Sequence, residues 1–387
     1  MTRIHIVALP HTETTKAFSY CAFTEKARKL ATMLDSIGYD VRLYAGEANE
    51  AKCTEHIRLV TKADQAAWFA GRDWTKTSFN DFDPSLPWWQ AMNQRAIYAI
   101  RQRMQPGDIL GLTMGWSQSP IALAIPELVP VETGIGYHGV WAPFRVFESN
   151  ALRHFLGAKE PTDDERSFDA VIPNSFEPED FPLGKGDGGY YLFMGRFIRR
   201  KGIEAAVEAT RAIGARLIMA GTECEVDGQT FRGQDGTEVS GDHLTHVGVV
   251  GPAERARLMG GAIATFTPTR YMEPFCGVHV ESMLTGTPVI TSNWGVFTET
   301  VTNGLNGFRC DVLNDYVQAA RKAVDLPRER IRELALERYS TDVVRFQYDA
   351  YFRRLGSLRR SGWYELENPP SPEAAAATAS PSIGDRD

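Results

Sequence analysis

The feature that most restricts the fold is an alternation of short apolar runs with amphipathic stretches, broken once and then restarted. "RIHIVALP" reads as a buried strand ending in a Pro-His-Thr turn. Behind it Phe23, Ala27, Leu30, Leu34 and Ile37 recur at helical spacing and stop at Gly38, the pattern of a helix with one apolar face. "YDVRLYAG", "GDILGLTMG" and "PVETGIGY" read as further strands, with a loop over 72–88 and a helix from Trp89 to about Gln105. The stretch 174–189, "NSFEPEDFPLGKGDGG", is dense in Pro, Gly and Asp and reads as a linker. Beyond it come "YYLFMG", a helix over 201–213, "ARLIMAG", "THVGVV", a helix over 252–260 and "AIATFTPT". A helix opening near Cys276-Gly277, strands "TPVITS" and "GFRCDV", and helices over most of 313–356 complete the series. Such alternation builds parallel β-α-β units. The expected class is therefore α/β, with two Rossmann-like doubly wound domains facing a central cleft.

The expected divisions are an N-terminal domain at 1–173, the linker at 174–189 and a second domain at 190–340. A helix at 341–367 crosses back to the first domain, its face marked by Val344, Tyr348, Tyr351, Phe352 and Leu355. The low-complexity end 368–387 reads as disordered. A length of 387 residues with 43% hydrophobic and 24% charged side chains suits two cores of ordinary size. A net charge of −7 argues against nucleic acid as a bulk partner. Cys21, Cys53, Cys224, Cys276 and Cys310 are odd in number and lack a C-x-x-C pair, which fits reduced thiols in a cytoplasm. The apolar run at the N-terminus is too short for a signal peptide, and no run approaches the ~18 residues of a membrane span. The expected location is cytoplasmic, with the oligomeric state open.

Chemistry concentrates in two turns of the second half. The strand "YYLFMG" ends at Gly195, and Arg196, Arg199, Arg200 and Lys201 fill the turn before the next helix. In doubly wound sheets ligands bind outside the carboxyl ends of strands, and cations beside a helix N-terminus suit a diphosphate. No G-x-G-x-x-G or P-loop is present, so a dinucleotide or Walker-type reading has no support. In "TRYMEPFCGVHVESMLTGTPVITS", Glu273 falls in the loop after a strand and Glu281 one to two turns into a helix. At ~1.5 Å per helical residue they stand roughly 10 Å apart. That is too far to share one metal ion or one proton, and it suits two ends of an extended ligand. The free N–H groups of Phe275, Cys276 and Gly277 point into the same space.

"GRFIRRKG", "EPFCGVHVESMLTGTPVITS" and "ETVTNGLNGF", in this order, resemble the donor domain of retaining nucleotide-sugar glycosyltransferases of GT-B fold and family-4 type, whose hallmark is E-x7-E. "PHTETTKAFSYCAFTEKA" and "ETGIGYHGVWAPFRVFES" are similar to a bacterial and bacteriophage subgroup of such enzymes. The resemblance implies that Arg196 and Lys201 neutralise the donor diphosphate and that Glu281 accepts hydrogen bonds from the ribose. It implies that Glu273 binds hydroxyls of the transferred sugar, helped by the N–H groups of Phe275, Cys276 and Gly277. The nucleobase would lie near Val249 and Val250, with Gly195 and Gly221 closing the strands beneath. Where the family often has Gly-x-Gly, this chain has "AGTEC", which leaves contacts at Thr222 and Glu223 open. The implied reaction is same-face substitution, in which the departing diphosphate takes the acceptor's proton. No cofactor and no metal are implied, and the donor is a UDP- or GDP-sugar.

The first half would carry the acceptor, a carbohydrate, a protein or a nucleic-acid base. His11 and Thr12 end the first strand, Tyr137 and His138 end another, and Ser117 and Glu148 are placed in cleft-side turns. His138 is the histidine expected nearest the reacting groups. Trp68, Trp74, Trp88, Trp89, Trp116 and Trp141 precede residue 142 and read as core residues before sugar platforms. "DFD" at 81–83 resembles a metal-binding D-x-D but sits in a Pro-rich loop of the first half. Two other readings are a phage-type transferase acting on DNA bases or a virion protein, and an inactive nucleotide-sugar-binding protein.

Overall fold

The computed structural model describes residues 2–70, 72, 79, 81–159, 166–359 and 364–365. Trp74 and the 368–387 segment lie outside these. The first sheet contains β1 (Arg3–Val7), β2 (Asp40–Ala45), β3 (Glu55–Arg58), β4 (Ile109–Leu112), β5 (Val129–Ile135), β6 (Phe144–Phe147) and β7 (Ala170–Val171). All its pairings are parallel, in the order β3-β2-β1-β4-β5-β6-β7. The second half supplies β8 (Tyr190–Met194), β9 (Arg216–Ala220), β10 (Cys224–Asp227), β11 (Thr230–Gly233), β12 (Glu238–Ser240), β13 (Leu244–His246), β14 (Thr265–Thr267), β15 (Val289–Ser292) and β16 (Gly307–Cys310). Its main sheet is again parallel, in the order β13-β9-β8-β14-β15-β16. The strand order of each sheet reverses once, between β1 and β4 and between β8 and β14. Those two reversals are where such folds open a crevice at the strand ends.

The central strands are buried on both faces because helices cover both. Tyr190–Met194 and Val289–Ile290 are apolar throughout and buried, as parallel strands require. One element departs from the alternation. β10, β11 and β12 form a separate antiparallel sheet inserted after β9. Its strand β10 is mostly exposed, so it carries no apolar run that would announce it.

The 174–189 stretch is not a free tether. Backbone N–H groups of Gly184, Gly186 and Gly188 donate to the carbonyls of Thr285, Gly260 and Gly261 at 2.9 Å each. Arg328 Nε reaches the Gly184 carbonyl at 2.9 Å, and its Nη2 reaches that of Gly260 at the same distance. The small residues serve close packing against the second domain.

The helix Thr341–Gly356 returns to the first domain. Val344, Tyr348, Phe352 and Leu355 are buried in the same core as Ile4, Leu30, Leu34 and Val41. Tyr39 Oη donates to Asp349 at 2.9 Å, and Tyr351 Oη to the Phe168 carbonyl at 3.0 Å. Phe352 is 1% exposed. Phe352→Ala is expected to cost about 3–5 kcal/mol of stability, the range for truncating a buried aromatic, read by urea denaturation. A loss under about 1 kcal/mol would show that this helix does not brace the first domain.

Among the described residues no helix is long and apolar enough to cross a membrane.

Candidate functional site

The second sheet's reversal brings two turns together. The first follows β8: Gly195, Arg196, then a short 3-10 turn at Arg199–Lys201 before the helix Ile203–Ala212. The second follows β14 and runs through Arg270, Tyr271 and Glu273 to the helix Gly277–Leu284. Lys201 Nζ donates to Tyr271 Oη at 2.8 Å and to Glu273 Oε2 at 2.8 Å. Burial disfavours the charge on Lys201. The Glu273 carboxylate, with Tyr271 beside it, outweighs that and raises the pKa above the ordinary lysine value. Lys201 is thus a fixed cation. Arg200 lies over the Tyr271 ring at 4.4 Å, which gives this turn a second positive charge.

Glycine geometry sets the approach of these turns. Gly221, at the end of β9, has φ +146, and a Cβ there would stand 1.8 Å from the Gly195 carbonyl oxygen. Gly295 has φ +63, and its Cβ would stand 2.7 Å from the Glu273 nitrogen. Val296 N–H donates to the Glu273 carbonyl at 3.1 Å. The backbone carrying Glu273 is therefore clamped from the β15 side.

Cys276 precedes the helix at φ +62, left-handed backbone that a side chain rarely adopts. Burial, then Glu273, pushes its thiol up to about 12, so it is a neutral thiol. His279 donates from Nδ1 to the Cys276 carbonyl at 2.5 Å, and burial lowers its pKa to about 4. It is fully buried between Phe275 and Phe297, edge-on to both. A neutral ring under the turn thus supports the strained residue. Of the first N–H groups of Gly277–Leu284, that of His279 donates to the Cys276 carbonyl at 3.1 Å, while those of Gly277 and Val278 precede any intrahelical acceptor.

Glu281 is 9% exposed, and its Oε2 lies 2.7 Å from Arg255 Nε. Across the domain boundary Lys29 donates to the Ser175 carbonyl at 3.0 Å and lies 4.3 Å from the Phe176 ring centroid. Burial lowers its pKa, while Glu25 and Glu281 pull the other way. Arg196 is more exposed, and its Nη1 stands 3.9 Å from Glu223 Oε1. Glu223 itself has φ +65. Val249 is exposed in the loop after β13, and Val250 packs against the Tyr190, Leu192 and Leu258 cluster. Phe275 is buried against Phe176.

The acceptor-side candidates divide. His138 is exposed at the end of β5, edge-on to Phe155, and Tyr137 is half-buried against Phe23. His11 is not open to the cleft. It is 4% exposed, stacks on Phe79 at 3.8 Å, and burial lowers its pKa to about 3. Thr12 is buried with its hydroxyl 2.6 Å from that of Thr24. Ser117 lies inside the helix Gly115–Ala124, not in a turn, and its hydroxyl donates to the Phe82 carbonyl. Glu148 is buried in an ion pair with Lys26, which also donates to the Gly134 carbonyl at 3.0 Å. Of the "DFD" carboxylates, Asp81 accepts from Arg72 at 2.6 Å and Asp83 from the Ser85 N–H at 2.8 Å. Arg255, Tyr271, Gly295, His279 and Lys29 escaped the sequence reading. Tyr271, two residues before Glu273, and His279, two before Glu281, offered a positional hint.

The family model described as glycosyl transferases group 1 matches residues 175–338. The chain is 31% identical over 99 residues to spore coat protein SA of Bacillus subtilis, covering 26% of this chain and 26% of that protein. It is 30% identical over 184 residues to phosphatidyl-myo-inositol mannosyltransferase of Mycobacterium tuberculosis, covering 44% and 47%. The matches thus span between a quarter and a half of these curated relatives. Sucrose-phosphate synthase from Thermosynechococcus elongatus superposes with a TM-score of 0.64 at 17% identity, over 92% of this chain and 99% of that one. AviGT4, a glycosyltransferase involved in avilamycin A biosynthesis, gives 0.61 at 18%, over 92% and 98%. HepE of Anabaena in complex with UDP-glucose gives 0.59 at 14%, over 91% and 100%. Residues 175–338 thus match the glycosyl transferases group 1 model, in a chain of GT-B fold.

Proposed function

We propose that the protein is a retaining glycosyltransferase that moves a sugar from a nucleotide-diphosphate donor, a UDP- or GDP-sugar, to an acceptor hydroxyl. The observation that carries the reading is the Lys201–Glu273 pair, held at the sheet reversal beside the Gly195–Arg196 turn. A carboxylate fixed next to a permanent cation can hold sugar hydroxyls at one end and face a departing diphosphate at the other. Glu281 then takes the ribose, held in place by the Arg255 guanidinium 2.7 Å away. The base lies along the loop at Val249 and Val250.

In the proposed reaction the bond between the anomeric carbon and the diphosphate oxygen breaks, and its electron pair stays on that oxygen. The acceptor oxygen bonds to the anomeric carbon from the same face, and its proton passes to the departing diphosphate. Lys201 and Arg196 stabilise the charge that develops there, the electrostatic role that preorganised cations perform best. Double displacement would want a carboxylate beneath the anomeric carbon. Glu273 instead is engaged by Lys201, which suits hydroxyl binding. With the cations at the diphosphate end, the proposed transfer needs no metal ion. His138 is the exposed acceptor-side group in this scheme.

Thermal shift with UDP-, GDP- and ADP-sugars tests the donor. A ligand at 100 times its Kd stabilises by about 2.7 kcal/mol, so one of the three is expected to raise Tm by several degrees. If none moves Tm, the donor assignment fails.

A further inference from the structure

A second concavity adjoins the proposed transfer site on the same domain. It has a volume of about 560 Å³, within the roughly 300–1,000 Å³ of small-molecule sites. The loops after β14, β15 and β16 form its floor, and the helices Ile203–Ala212 and Leu313–Ala323 form its walls. It shares a partition with the transfer site. Thr269 and Arg270 lead directly into Tyr271 and Glu273, while Trp294 precedes the Gly295 that abuts Glu273.

The lining has a definite chemistry. Glu204, Glu208 and Asp311 line it against one cation, Arg270, whose Nη2 stands 3.5 Å from Glu204 Oε2, so acids outnumber bases in the lining. Thr269 is 2% exposed, yet its hydroxyl has no hydrogen-bond partner among the described residues, and the buried Ser292 hydroxyl has none either. Buried polar atoms without partners are rare and call for a cause. Trp294 presents 54% of its surface. Asn293 Nδ2 is held against Asp311 Oδ2 at 3.3 Å, so an amide and a carboxylate stand together at the rim. Carboxylates, an amide and unpaired hydroxyls match the donors and acceptors of a polyol, and an open indole face matches the C–H face of a sugar ring. Excess negative charge disfavours phosphates, sulfates and nucleic acid.

We propose that this groove binds a neutral saccharide, the part of the acceptor beyond the hydroxyl that receives the transferred sugar. The assignment rests on the donor reading for its orientation, since it places the acceptor chain past Glu273 and across β15 and β16. It narrows the acceptor class to carbohydrate.

The test uses the full chain labelled with 5-fluorotryptophan, the Trp294 resonance being the one lost in Trp294→Phe. Neutral probes are methyl α-glucoside, methyl α-mannoside, maltose and lactose; tri-lysine and a heparin disaccharide are charged controls. At least one neutral saccharide is expected to shift the Trp294 signal saturably, with a Kd near the millimolar scale. Ser292→Ala or Thr269→Val should weaken that saccharide at least threefold. The proposal is overturned if no neutral probe moves the signal at up to about 50 mM, some fifty times that Kd. It is equally overturned if tri-lysine or the heparin fragment moves it and the neutral probes do not. Nucleotide diphosphates are titrated into the same sample. Nucleotide binding without saccharide binding sinks the groove alone; saccharide binding without nucleotide binding sinks the donor reading and leaves the groove standing.

Discussion

Replacing Lys201 by Met is expected to lower turnover by about 10²–10³-fold, the scale of losing one preorganised charge-stabilising group. The same change should destabilise the fold. Glu273 has a side chain only 6% exposed and would be left without its 2.8 Å partner. Breaking a buried pair from one side costs about 3–5 kcal/mol. The two effects separate in the double variant Lys201→Met/Glu273→Gln, which removes both charges. It should recover most of the lost stability and none of the turnover. Stability is read by chemical denaturation and turnover by release of nucleotide diphosphate. If the double variant regained activity along with stability, Lys201 would be a structural counter-ion only.

At the other end of the proposed donor, Glu281→Ala is expected to raise KM for the nucleotide sugar by about 10–100-fold with kcat little changed. Hydrogen bonds to a charged group contribute about 1.5–3 kcal/mol, and each 1.4 kcal/mol is tenfold. Binding lost equally from ground and transition states appears in KM. Because Arg255 Nε is 2.7 Å from Glu281, Glu281→Gln should hurt nearly as much, since the amide no longer pairs with that cation. A fall in kcat at unchanged KM would place Glu281 in the chemical step and overturn the division between the two carboxylates.

The α/β class was legible because both sheets are parallel and covered on both faces, so most of their strands are predominantly apolar runs. "RIHIVALP" and "YYLFMG" could hardly be anything else. The inserted β10–β12 sheet was not legible. An exposed strand such as "CEVD" needs no apolar face, so no period marks it. The Gly-rich 174–189 stretch shows the opposite limit. Composition marks a turn, but only the fold reveals that Gly184 lies against Gly260. In the site, the Arg196–Lys201 and Glu273–Glu281 stretches stood out by residue type and order. Their partners did not, because Arg255 meets Glu281 through tertiary packing alone. His11 failed for a related reason. Its place at a strand end suggested an open edge, yet Phe79 from a distant loop folds over it.

In the proposed donor complex one nucleotide sugar spans Glu281 and Glu273. Calorimetric titration of a nucleotide diphosphate and of the matching nucleotide sugar tests it most directly. In the parent both should bind, the sugar form more tightly. In Glu273→Gln the two should bind alike, with the diphosphate's affinity kept. In Glu281→Ala both should weaken together by about tenfold or more. Binding of neither ligand to the parent, or the same response from both variants, would show that no such donor bridges the two carboxylates.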